Sequence, residues 1–151
     1  MDSEIIINMR IREMRAEDIE EIVRIGTKEK YFQVSSSLDG FWSRKQLHNW
    51  IKSNDDVLLV AEDGDRMVGF AISSLHKPTG KATFENLWVD PSSRNRNIAT
   101  KLSLHLIKGL KANGATYICG MTKTNNKNML RLFDKLGFDK GYEYNWMGKL
   151  I

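Results

Sequence analysis

Between Val57 and Met121 the apolar residues change their period twice, and this limits the fold more than any other feature of the chain. Residues 57–62 and 66–75 are β-rich arms on either side of Asp63-Gly64-Asp65, the signal of a tight hairpin. Pro78-Thr79-Gly80 turns the second arm into a third run, 82–89. Beyond Asp90-Pro91 the spacing lengthens to helical steps, with Ile98, Leu102, Leu106 and Leu110 on one stripe. Asn113-Gly114 closes that helix, and 116–121 reads again as a strand. Hairpin-linked strands are antiparallel, whereas a strand–helix–strand succession is a parallel crossover. The sheet is therefore expected to be mixed, in an α/β (α+β) sandwich.

The flanks extend this plan. Residues 5–14 alternate through Met9, Ile11 and Glu13 and suggest a first strand, and Asp18 then precedes a helical face of Ile19, Ile22, Val23 and Gly26. Residues 31–42 mix serines, Asp39-Gly40 and aromatics, and read as a loop with a short helical piece. Ser43 and Gln46 have the spacing of a capping box ahead of Leu47, Trp50 and Ile51. A last helix carries Met129, Phe133 and Leu136 and stops at Leu136-Gly137-Phe138, after which 142–150 forms a final strand. No repeat, linker or composition break divides the chain, so 1–151 is expected to be one domain.

Composition closes off other classes. With 41% apolar residues and only two prolines, the chain can bury a core. Its 23 basic and 19 acidic residues give a net charge of +4, but they are interspersed and form no basic stripe or nucleic-acid motif. The same excess suits a polyanionic cofactor. The single cysteine, Cys119, has no internal disulfide partner, and no Cys/His spacing reads as a metal site, so none is expected. No apolar run is long enough to cross a bilayer and Met1-Asp2-Ser3-Glu4 is unlike a signal peptide, so a cytoplasmic protein without membrane partners is expected.

Chemistry concentrates where the third meander strand meets the following helix. Arg94-Asn95-Arg96-Asn97-Ile98-Ala99-Thr100 runs from a basic turn into a helix start. Unpartnered first-turn N–H groups and the positive end of the helix dipole favour phosphate there, with two arginines in reach. An ordinary solvated turn with two surface arginines accounts for the same residues equally well.

A resemblance separates these readings. Arg94 to Ala99 resembles the acetyl-CoA signature of the Gcn5-related N-acetyltransferase (GNAT) superfamily, Arg/Gln-x-x-Gly-x-Gly/Ala. Leu87-Trp88-Val89-Asp90-Pro91 is similar to its lead-in strand. Asn126 with Leu132-Phe133-Asp134-Lys135-Leu136-Gly137-Phe138 resembles its Asn…Leu-Tyr-x-x-Leu-Gly-Phe block, and Ile11 to Ile19 its opening strand and helix. Four ordered blocks span nearly the whole chain. Two positions depart from the pattern: Asn97 replaces the central glycine, and Phe133 replaces a tyrosine whose hydroxyl can protonate a leaving thiolate.

The resemblance implies a GNAT-like mixed sheet of six to seven strands with about four helices. It implies acetyl transfer from acetyl-CoA to a primary amine by direct attack in a ternary complex. Leu87, Trp88, Val89, Arg94, Asn95, Arg96, Asn97, Ile98, Ala99, Thr100, Asn126 and Phe133 would contact the cofactor, and the Leu87 N–H would receive the oxyanion. Glu85, two residues before Leu87, is expected on the same strand face as the base that deprotonates the amine; the alternative is a carboxylate paired with Lys or Arg. Residues 85–89 also echo the Glu-Asp-aromatic-aromatic-Val run of polyamine acetyltransferases, whereas the glutamate of ribosomal-protein acetyltransferases has no counterpart near Gly120-Met121. Tyr142 and Tyr144 are candidates for the acid. Tyr31, Phe32, Phe41 and Trp42 are candidate acceptor walls, with Asp39 or Glu85 opposite a cationic amine. His48, His76 and His105 fall outside the matched blocks. The resemblance also allows a homodimer through edge strands. Asn97 and Phe133 keep open a second reading, a catalytically weak or inactive acyl-CoA-binding or regulatory module on the same fold.

Overall fold

The computed structural model describes residues 8–36 and 40–151. In chain order its elements are β1 (Met9–Glu13), α1 (Ile19–Lys28), α2 (Arg44–Trp50), β2 (Leu58–Asp63), β3 (Arg66–His76), β4 (Lys81–Val89), α3 (Ile98–Ala112), β5 (Tyr117–Gly120) and α4 (Lys127–Lys135), with single 3-10 turns at four of the connections. The five strands lie in sequence order; the first four are antiparallel and β5 is parallel to β4. The α/β class and mixed sheet expected from the sequence are both present.

Local chemistry explains the joints. Asp63 pairs with Arg66 across a two-residue turn led by Gly64 at φ 61°, a left-handed angle that glycine adopts without strain. The Ser43 hydroxyl accepts the Gln46 N–H at 3.2 Å while the Gln46 side chain accepts the Ser43 N–H at 3.0 Å, so the capping box is formed. The α3 and α4 helices both stop in Schellman turns: Ala115 N–H to Leu110 O and Gly114 N–H to Lys111 O in one, Phe138 N–H to Phe133 O and Gly137 N–H to Asp134 O in the other.

Each sheet face buries its own cluster. Leu59, Ala71, Leu75, Ala82 and Phe84 pack under Ile98, Leu102, Leu106 and Leu110 of α3 and Phe133 of α4. Leu58, Val60, Phe70 and Ile72 pack under Ile19, Ile22 and Ile25 of α1 and Leu47 of α2. The α1 helix is also held by charge: Arg12 of β1 grips Asp18 with two bonds of 2.8 and 2.9 Å and reaches Glu62 of β2 at 3.0 Å.

The strand count is lower than expected. Among the described residues there are five strands, and 142–150 is not one of them: residues 139–151 carry neither helix nor strand. Tyr142, Tyr144 and Trp146 alternate as a strand would, but alternation supplies no partner edge, and all three are exposed. The first strand begins at Met9, and residues 5–7 of the expected run lie outside the described residues.

Candidate active site

The site grows from one mismatch in length. β5 pairs with β4 only from Lys81↔Tyr117 to Phe84↔Gly120, whereas β4 continues to Val89. Residues 85–89 thus keep β3 on one side and, among the described residues, have no strand on the other. The Asp90 N–H bonds to Val68 O at 2.9 Å, which fixes the phase of the antiparallel ladder. Asn86 and Trp88 bond towards β3 at this phase, and the backbone N–H and C=O groups of Leu87 and Val89 turn to the open edge.

Phe133 closes the apex of this split. It is buried, edge-on to Phe84 with ring centroids 6.0 Å apart and 4.9 Å from Phe138. A Cβ on Gly120 would lie 2.6 Å from the Phe133 ring, so glycine is needed where the two strands part.

A β-bulge decides where Glu85 goes. Ile72 pairs with Asn86 but Ser73 pairs with Phe84, leaving Glu85 as the extra residue on β4. Phe84 and Leu87 both pack on the α3 side. Asn86 accepts the Trp42 indole N–H at 2.6 Å on the α1–α2 side, where Trp42 and Trp50 meet edge to face. Glu85 is on that side too, accepting the Ser74 hydroxyl at 2.6 Å. The expectation that Glu85 shares the face of Leu87 is therefore corrected: strict two-residue alternation fails across a bulge. Among the described residues Glu85 has no cation partner.

The aromatics that the sequence marks as acceptor walls mostly pack. Phe32, Phe41 and Phe70 form a cluster with centroids 5.7 to 6.2 Å apart, Trp88 stacks on Phe70 at 5.7 Å, and the Phe41 ring lies against Gly26 of α1. Tyr31 is partly exposed. Asp39 lies outside the described residues.

The β4–α3 loop is built on left-handed asparagines. Asn95 (φ 65°) and Asn97 (φ 59°) both take positive φ, a conformation asparagine reaches more readily than other non-glycine residues. The Asn97 side chain does not cap α3, whose first internal bond runs from Lys101 N–H to Asn97 O. The N–H groups of Ile98, Ala99 and Thr100 precede it and face out of the helix end. Ile98 itself is buried in the core. Arg94 is exposed, with no hydrogen-bond or ion partner among the described residues. Arg96 is committed instead to Asp63 at 2.9 Å. Asn126 caps α4, accepting the Met129 N–H at 3.2 Å.

The other candidates fall elsewhere. Tyr142 and Tyr144 are 89% and 85% exposed on the C-terminal segment, with no strand to direct them at the split. Cys119 is half-buried and donates to Ala82 O at 3.5 Å. His76 bonds Thr79, and His105 bonds the Lys101 carbonyl. Two neighbours of the site escaped the sequence reading: Ser74 beside Glu85, and Lys135, whose Nζ lies 3.4 Å from Thr100 Oγ1 at the start of α3. The four-residue spacing of Lys127, Arg131 and Lys135 was a signal for the second; nothing local marked the first.

Comparison with known proteins agrees with this geometry. A family model described as the acetyltransferase (GNAT) family matches residues 19–138. An acetyltransferase of Sodalis glossinidius (strain morsitans) is 28% identical over 143 residues, covering 95% of this chain and 96% of its own. Two crystallised proteins share the fold: the aminoglycoside acetyltransferase AAC(6')-Iy in complex with the bisubstrate analogue CoA-S-monomethyl-acetylneamine (TM-score 0.74, 19% identity, 95% of this chain and 99% of that one), and a PaiA N-acetyltransferase of Thermoplasma acidophilum in complex with coenzyme A (TM-score 0.77, 20% identity, 91% and 94%).

Proposed function

We propose that this chain, which belongs to the acetyltransferase (GNAT) family, transfers the acetyl group of acetyl-CoA to a primary amine within a ternary complex. The observation that carries the reading is the free edge of β4 at residues 85–89, with the Leu87 and Val89 amides turned into the split and a carboxylate on the opposite face.

Fit to coenzyme A rests on donor chemistry. The split presents peptide groups that can pair with the amides of a pantetheine arm. At its end, three helix N–H groups and the Arg94 guanidinium, all without a partner among the described residues, suit a pyrophosphate. Arg96, paired with Asp63, acts mainly by fixing the loop.

The residues divide the chemistry between two faces. Glu85 takes a proton from the acceptor ammonium, directly or through water, so that the neutral nitrogen attacks the thioester carbon. The Leu87 N–H receives the negative charge that develops on the carbonyl oxygen. The C–S bond breaks, the thiolate leaves with its electron pair, and the second proton, made acidic on nitrogen by attack, passes to water. Phe133 offers no proton, so departure relies on the thiolate's own stability. The bulge is what permits one strand to address the cofactor with Leu87 and the amine with Glu85.

Thiol release from acetyl-CoA, measured against peptides, polyamines, amino acids and aminoglycosides, tests the reading. Turnover with at least one amine and its loss in Glu85→Gln are expected. Coenzyme A binding without turnover across the panel would replace this reading with a non-catalytic acyl-CoA-binding module. A homodimer is part of the proposal, supported by the open edge of β5 and by the exposed Tyr142, Tyr144, Trp146, Met147 and Leu150; a monomeric mass in light scattering would remove it.

A further inference from the structure

We infer that Ser74 is a positioning residue for acetyl transfer: its hydroxyl fixes the Glu85 carboxylate in the orientation that receives the amine proton. This rests on the proposed role of Glu85.

The argument begins with the bulge. Ser74 pairs across the ladder with Thr83, two residues before Glu85. In a regular ladder a hydroxyl opposite Thr83 would have Glu85 only as a diagonal neighbour. The extra residue changes the local geometry, and the carboxylate meets the Ser74 hydroxyl at 2.6 Å. That bond engages Oε1; Oε2 has no partner among the described residues and is left for the substrate. Ser73, the adjacent serine, is directed differently, with its hydroxyl on Val57 O at 2.7 Å. Two consecutive serines thus serve opposite faces.

A bulged glutamate needs such a tether. Its backbone is set off the regular ladder, its side chain has three rotatable bonds, and among the described residues no Lys or Arg holds it. A short O–H···O⁻ bond is among the stronger hydrogen bonds available to a side chain. It restricts the carboxylate rotamers while leaving one oxygen to accept a proton. Proton transfer then begins from a populated geometry, and the gain appears in the chemical step more than in binding.

A double-mutant cycle tests this with acetyl-CoA and the fastest of four acceptor probes: spermidine, neamine, L-lysine and an alanine-initiated hexapeptide. Ser74→Ala is expected to lower kcat about tenfold with the amine KM changed less than about twofold. Ser74→Thr, which keeps the hydroxyl, restores most of it. In a Glu85→Gln background, Ser74→Ala adds less than about twofold, because the group it serves is gone. Thermal unfolding of each variant checks the fold, and Ser74→Cys, nearly isosteric with a weak donor, replaces Ser74→Ala if the alanine variant does not fold. Wild-type turnover in Glu85→Gln, or acetylation of none of the probes, overturns the base assignment and this inference with it. A defective Glu85→Gln beside an unimpaired Ser74→Ala overturns the inference alone. So does a Ser74→Ala loss that multiplies independently with the Glu85→Gln loss.

Discussion

Replacing Asp18 by Asn should show how firmly α1 is held to the sheet, and so how firmly the acceptor side of the site is framed. The Asp18 carboxylate is 7% exposed, accepts two bonds from the 14% exposed Arg12 and takes the Arg15 backbone N–H at 2.7 Å. Asparagine keeps the shape and one acceptor but removes the charge. Breaking a buried pair while leaving its partner costs about 3–5 kcal/mol; Arg12 retains Glu62 at 3.0 Å, which puts the expected loss near about 3 kcal/mol. With an unfolding entropy of about 2.1 cal/mol/K per residue over 151 residues, that loss lowers Tm by about 9 °C at pH 7. The dependence on pH has a definite sign. Burial opposes ionisation of Asp18, but the bonds from Arg12 and the Arg15 N–H outweigh it, and the carboxyl is held below its ordinary value. A depressed folded-state pKa stabilises the fold above the unfolded value of about 3.9 and loses that stabilisation as pH falls through the folded-state value. Calorimetry of both proteins from pH 7 to pH 3 should therefore show a gap that is widest near neutrality and narrows in acid. A gap under about 2 °C at pH 7, or one unchanged across the range, would refute the reasoning.

Phe133→Ala should cost about 3–4 kcal/mol, the usual loss for a buried phenylalanine, because the ring fills the apex between β4 and β5; a loss under 1 kcal/mol in denaturant titration would show that the split closes without it. At Asn97, φ 59° makes alanine the informative change: Asn97→Ala should lose about 1 kcal/mol in the same titration, whereas Asn97→Gly should be nearly neutral and bind coenzyme A at least as tightly by calorimetry. Arg94→Ala should weaken coenzyme A binding about fivefold, with the difference shrinking as salt rises. Arg96→Ala should act first on stability, through loss of the Asp63 pair, and equal effects of the two on affinity would contradict their assigned roles.

The sequence made the fold legible wherever one local rule governed an element. Gly64 in a hairpin, the Ser43–Gln46 box, and glycines 114 and 137 after helices each follow from backbone geometry confined to a few residues, and each is in place. The expected sixth strand failed because strand formation is not local. Tyr142, Tyr144 and Trp146 have the right alternation, yet a ladder needs a neighbouring edge, and sequence alternation cannot say whether one is near. Arg96 shows the same limit for charge. Its position in the signature suggests phosphate, but Asp63, 33 residues earlier, is brought beside it by the β2–β3 hairpin.

Glu85 carries that reasoning one step further. Its type and its place before Leu87 were readable, but its face was not, because a bulge depends on how two strands pair and leaves no mark on either alone. Under strict alternation counted back from Leu87, Glu85 would share its face, and the carboxylate would sit among the apolar side chains under α3, where ionisation would be costly. The register shift between Ile72 and Ser73 removes that conflict and places Glu85 and Asn86, consecutive in sequence, on the same side of the sheet. There each meets a polar partner from a different element, Ser74 of β3 and Trp42 ahead of α2. A single inserted residue thus lets one strand keep Phe84 and Leu87 in the core on one side and present two consecutive polar side chains on the other.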